Sequence, residues 1–104
     1  MHLTSYLQDG KLTIALKGEI DHHCAKAYIQ AITAKIEAYA PKICVLDFRE
    51  VGFMDSSGIA VVIHTLRIMN RLHGELCLCS IGAQPMKVLR ASGIEKLVPI
   101  KEVL

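Results

Sequence analysis

Two stretches of the chain gather side chains able to act on another molecule. Phe53-Met54-Asp55-Ser56-Ser57-Gly58-Ile59 sets a carboxylate and two adjacent hydroxyls beside a glycine, and Asp21-His22-His23 sets a carboxylate beside two imidazoles. Serine, histidine and aspartate together permit a hydrolytic set, but Ser57 sits in D-S-S-G, not in the G-x-S-x-G of a nucleophile elbow. Neither a P-loop, nor G-x-G-x-x-G after a strand, nor HExxH, nor CxxC occurs in the chain. The expectation is a protein that is not an enzyme and holds no cofactor or metal of its own. Adjacent histidines on a helix diverge by about 100° and seldom bind one metal alone. Partner contact or simple solvation is the expected use of His22 and His23.

The hydroxyl pair admits two readings. Asp55 or Ser56 capping the orphan N–H groups of a following helix accounts for one of the three polar residues. Capping leaves unexplained the second serine and Gly58, which lowers helix propensity where a first turn should form. A small, accessible, backbone-open turn is also what a kinase needs around an acceptor hydroxyl, so phosphorylation is the second reading.

The elements that must position these residues are legible from periodicity. Segments 3–8 and 11–17 flank Asp9-Gly10, a hairpin signal because glycine accepts positive φ. In 11–17, Leu12, Ile14 and Leu16 share one face while Lys11, Thr13 and Lys17 share another, which predicts a strand with one wet face. Residues 22–39 repeat apolar side chains at three- and four-residue steps, predicting an amphipathic helix with Asp21 as N-cap and Pro41 past its end. Residues 42–48 form an apolar run that predicts a central strand. A helix is expected from Ser57 to His73 with Gly74 past its end and His64, Arg67 and Arg71 as its wet stripe. A strand at 75–81, a short helix from Pro85 to about Ala91 and an extended segment at 97–100 complete the chain. The predicted order, β-β-α-β-α-β-α-β, calls for a mixed, largely parallel sheet with right-handed crossovers and helices mainly on one face.

Composition narrows the rest. The 104 residues are 52% hydrophobic and 21% charged, enough for one domain, 1–104, with a core that needs no disulfide or metal. Twelve basic against ten acidic residues argue against a nucleic-acid partner. No apolar run reaches the roughly 18 residues of a membrane span, and MHLTSYLQDG lacks the pattern of a signal peptide. A cytoplasmic protein with no membrane partner is expected. Cys24, Cys44, Cys77 and Cys79 are then expected to be reduced and to act as small apolar residues. Cys77 and Cys79 share a face of one strand, so a soft metal would meet both, but no third ligand is close in sequence.

Two motifs add a resemblance. G-E-I-D-H-H-C-A (18–25) and F-M-D-S-S-G-I-A-V (53–61) resemble stretches of the STAS-domain family, most closely its sporulation anti-sigma factor antagonists, and the order of elements is similar over nearly the whole chain. The resemblance implies a STAS-like α/β fold. It also implies a binding switch in which the unphosphorylated form holds an anti-sigma factor and frees the sigma factor. The anti-sigma factor is then a serine kinase that brings ATP and Mg²⁺ and phosphorylates Ser56, and a separate serine phosphatase restores the hydroxyl. Asp21 matches a family aspartate implicated in holding that kinase, and Ser57 would support the turn or the contact. His22, His23, Asp55, Gly58 and Ile59 are expected to complete the partner surface. The dipole and free N–H groups of the helix at Ser57 are expected to favour the phosphate, so the backbone should barely move. The sequence departs from the subgroup at Ala60, where glycine is usual, at Cys24, where threonine is usual, and in ending soon after its last strand. The alternative is a STAS module without a switch, bound to another protein or to a small ligand.

Overall fold

A computed structural model describes residues 2–102. The chain runs β1 (His2–Gln8), β2 (Lys11–Ile20), α1 (Ala25–Tyr39), β3 (Ile43–Met54), α2 (Ser57–Arg71), β4 (Glu75–Cys79), α3 (Ala83–Ser92), a 3-10 turn (Ile94–Lys96) and β5 (Ile100–Lys101). Element types and order are those the periodicity predicts. One five-stranded sheet has the order β1-β2-β3-β4-β5, with β1 antiparallel to β2 and the other neighbours parallel. The hairpin closes through Asp9 (φ 52°) and Gly10 (φ 79°), the paired positive φ values of a tight two-residue turn.

Alternation along the strands sorts side chains to the two faces. Leu12, Ile14, Leu16, Cys44, Leu46, Leu76 and Leu78 point to the helices and join Tyr28, Ile32, Ile36, Val61, Val62, Met69 and Leu89 in the main core. The opposite face carries a small second cluster of Val45, Cys77 and Cys79 with Ile43 packed against it. This cluster corrects the expected wet face. Thr13 pairs in register with Val45, which pairs with Cys77, and Thr13 is only 2% exposed. Cys77 and Cys79 do share a face, and all four thiols are free. Among the described residues no group of three or more His, Cys, Asp or Glu gathers to hold a metal.

Several boundaries differ from those expected. β2 continues to Ile20 through two register shifts against β3, and Gly18 (φ +104°) supplies the backbone one of them requires. β3 continues six residues beyond 48, paired only with β2 after Asp47. Helix α1 begins at Ala25, since His22–Cys24 form a turn, and α2 stops at Arg71. The left-handed residue after α2 is His73 (φ 57°), not Gly74; a Cβ on Gly74 would lie 2.6 Å from Met69 Cε and 2.8 Å from the Lys42 carbonyl oxygen. Pro85 is the third residue of α3, still within the turn whose N–H groups lack helical partners. The last strand is Ile100–Lys101, because 94–96 turn first and leave Leu97 exposed. None of these helices is long and apolar enough to cross a membrane.

Candidate functional site

The two sequence motifs meet at one end of the sheet, where parallel β2 and β3 finish side by side. Ile20 pairs with Met54, and the Asp55 N–H donates to the Ile20 carbonyl oxygen at 3.1 Å. The residues that follow each strand, Asp21-His22-His23 and Asp55-Ser56-Ser57, are therefore neighbours in space.

Each aspartate organises its own loop. Asp21 Oδ1 accepts from the N–H of His23 (2.9 Å) and of Cys24 (3.2 Å), and from the Cys24 thiol (3.3 Å). It thus caps the turn ahead of α1, although the helix proper begins later than expected. The thiol bond from Cys24 leads the interactions that hold the Asp21 carboxyl below its ordinary value, with the two N–H bonds behind it. Where the subgroup has threonine, Cys24 still supplies a donor to this aspartate. Asp55 Oδ1 accepts the Ser57 N–H at 2.8 Å, so Asp55 rather than Ser56 caps α2. Its other oxygen faces the neighbouring loop: Oδ2 accepts the His22 N–H at 3.3 Å and stands 3.8 Å from His22 Nδ1. The Ser57 N–H first, then the Ser57 hydroxyl and His22, lower the Asp55 carboxyl from its ordinary value. His22 and His23 are exposed, with ring centroids 3.9 Å apart and planes tilted by 38°.

Ser56 is exposed at the start of α2, while Ser57 and Ile59 are half-buried. Ser56 and Ile59 also border a shallow cleft whose far wall is Lys87, Val88, Ala91 and Ser92 of α3. Gly58 is buried for an internal reason: a Cβ there would run into the Met54 side chain beneath the first turn. The structure therefore brings Asp21, His22, His23, Asp55, Ser56, Ser57 and Ile59 to one end and seats Gly58 under them. The N–H groups of residues 57–59, expected to be free at the start of α2, are already bonded. Ser57 N–H goes to Asp55 Oδ1, Gly58 N–H to the Asp55 carbonyl oxygen (3.0 Å) and Ile59 N–H to that of Ser56 (3.1 Å).

Gln84 was not marked by the sequence. Its Oε1 accepts the Met54 N–H and its Nε2 donates to the Met54 carbonyl oxygen, both at 2.8 Å. Nothing in the motif spacing signals a contact thirty residues downstream.

The comparisons agree with this architecture. The model of the STAS domain matches residues 2–104. An anti-sigma F factor antagonist of Paenibacillus polymyxa is 31% identical over 91 residues, covering 88% of this chain and 78% of that protein. The crystal structure of an anti-sigma factor antagonist from Mycobacterium paratuberculosis superposes with a TM-score of 0.88 at 25% identity, covering 99% of this chain and 86% of the other. The antagonist SpoIIAA, also 25% identical, superposes with TM-scores of 0.80 in its unphosphorylated form and 0.71 in its phosphorylated form from Bacillus. These matches cover 95% of this chain in both forms, and 87% and 90% of SpoIIAA respectively. With the family model spanning the described residues and the two motif loops joined at the ends of β2 and β3, the chain belongs to the STAS-domain family.

Proposed function

We propose that this chain is an anti-sigma factor antagonist whose binding is switched at Ser56. The unphosphorylated form docks the end of the sheet carrying Asp21, His22, His23, Asp55, Ser57 and Ile59 on an anti-sigma factor and releases the sigma factor held there. That anti-sigma factor is also the kinase. It brings Mg²⁺-ATP, the Ser56 oxygen attacks the γ-phosphorus, the bond to the β-phosphate oxygen breaks, ADP leaves and the hydroxyl proton passes to a base of the kinase. A serine phosphatase returns the hydroxyl by hydrolysis of the phosphoester. The chain itself acts as ligand and substrate, in the cytoplasm, and needs no nucleotide site.

The observation that carries this reading is the exposed Ser56 on a turn that Asp55 ties to the Asp21-His22-His23 loop. Phosphorylation adds roughly −1.5 to −2 charges. The helix dipole of α2 favours that charge, but the first-turn N–H groups are taken, and the Asp55 carboxylate is adjacent in the chain. The added charge therefore stays at the surface, met by few free donors, and opposes a partner fitted to a neutral serine. A thousandfold loss of affinity requires about 4 kcal/mol, within reach of one desolvated, unpaired charge. Names and forms of the relatives, SpoIIAA in both phosphorylation states among them, support the same reading.

The test is intact mass and peptide mapping after incubation with a purified anti-sigma kinase, ATP and Mg²⁺. One phosphate on Ser56 and loss of the complex on gel filtration are expected. Ser56→Ala should bind and stay unmodified, and Ser56→Asp should bind weakly. Stoichiometric phosphorylation of Ser56→Ala would move the acceptor elsewhere, and a complex formed without any phosphate would make the chain a docking module without a switch.

A further inference from the structure

β3 outruns its neighbour on one side. Pairing with β4 ends at Asp47 and Cys79, seven residues before Met54, so beyond that point only β2 continues the ladder. In a parallel ladder, alternate residues direct their N–H and C=O to opposite sides. Asp55 donates to Ile20 on the β2 side, which leaves the main-chain groups of Met54 facing away from β2. The Gln84 side chain, from the first turn of α3, fills that place with one acceptor and one donor, as a strand would. Only a primary amide of this length does both. A carboxylate offers no N–H to the carbonyl, and an ammonium offers no acceptor to the N–H. The Met54 side chain is meanwhile seated under Gly58. The residue just before Asp55-Ser56 is thus fixed through its backbone by α3 and through its side chain by α2.

We infer that Gln84 is a positioning residue for the modification of Ser56: its amide sets the height of the β3 end, and so where the Ser56 hydroxyl stands when a kinase docks. The inference rests on Ser56 being the acceptor. Gln84 is half-buried and its amide bonds Met54 main chain, not a side chain of the proposed docking surface, so its loss should spare the contacts that hold the partner and disturb the alignment of the hydroxyl.

The experiment compares the wild-type chain with Gln84→Ala and Gln84→Glu, the second nearly identical in shape but lacking the donor. Steady-state phosphotransfer with a purified anti-sigma kinase and Mg²⁺-ATP is read beside amide hydrogen exchange at residues 53–58, with urea midpoints to show that each variant is folded. Expected are a kcat lower by about tenfold or more in both variants, since small misplacements of a reacting group are costly. KM should stay within about twofold, the mark of an interaction absent from docking. Exchange at Met54 should be faster in Gln84→Ala. Unchanged exchange over 53–58 in Gln84→Ala would overturn the clamp whatever the kinase does. Faster exchange with wild-type kcat, or full activity in Gln84→Glu, would overturn the positioning role. A wild-type chain left unmodified at Ser56 would instead sink the acceptor assignment, and the positioning role with it, and is told apart because the exchange result stands by itself.

Discussion

Asp55 acts in two directions. One oxygen caps α2 through Ser57 and the other reaches His22 in the neighbouring loop, while Asp21 gathers His23 and Cys24. Both carboxyls are held below the ordinary aspartate range by these donors. A carboxyl whose folded pKa is depressed contributes stability above its unfolded pKa and loses that contribution as pH falls through the folded value. The stability added by Asp55 should therefore be complete above about pH 4 to 5 and decline below the unfolded value near 3.9. Asp55→Asn, which keeps the shape and removes the charge, should be less stable than wild type at pH 7 and converge with it toward pH 2. Urea midpoints measured across that range check this, and a gap that stayed constant would mean that the carboxylate charge plays no part in capping.

The irregular stretch of β2 depends on α1. Around Ala15–Glu19 the register against β3 slips twice, and the Tyr28 hydroxyl from α1 donates to the Lys17 carbonyl oxygen at 2.7 Å. Tyr28 is otherwise wholly buried, so this one bond ties helix to bulge. Tyr28→Phe should cost about 1 kcal/mol, the usual net worth of such a hydrogen bond, and up to about 3 if the carbonyl stays dry. Chemical denaturation measures that loss; no loss at all would mean that water replaces the hydroxyl. The same bulges explain what could be read in the sequence and what could not. Alternation at Leu12, Ile14 and Leu16 was plain, but Gly18 and Glu19 interrupt it, so β2 reads as ending before the pairs that bring Ile20 to Met54. Exposed Arg49 and Glu50 hid the far half of β3 in the same way. The caps made by Asp21 and by Asp55 Oδ1 were legible because those bonds are local, each oxygen serving N–H groups within a few residues. Gln84 was not, because its partner is main chain, and main chain carries no residue identity.

Burial across the whole molecule makes the thiols a gauge of its opening. Cys44, Cys77 and Cys79 are all buried, and burial pushes Cys44 up to about 12 and raises the other two. Cys24 alone is half-buried, at the loop beside the site. A maleimide added to the folded chain should modify Cys24 first and the other three only as fast as the molecule opens, whereas all four should react promptly in denaturant. Intact-mass counting over time distinguishes these, and prompt modification of three or four thiols without denaturant would mean a sheet far looser than its packing implies. The parallel arrangement of β2, β3 and β4 has one more consequence. All of their onward connections leave from the same end, seated by the main-chain bond from Asp55 to Ile20, by the Gln84 amide on Met54 and by the Asp21 and Asp55 carboxylates. The exposed side chains of His23 and Ser56 carry none of these bonds. A lineage of such chains can exchange its recognition loops and acquire new allegiances while inheriting the scaffold unaltered, much as a lock is rekeyed without recasting its body.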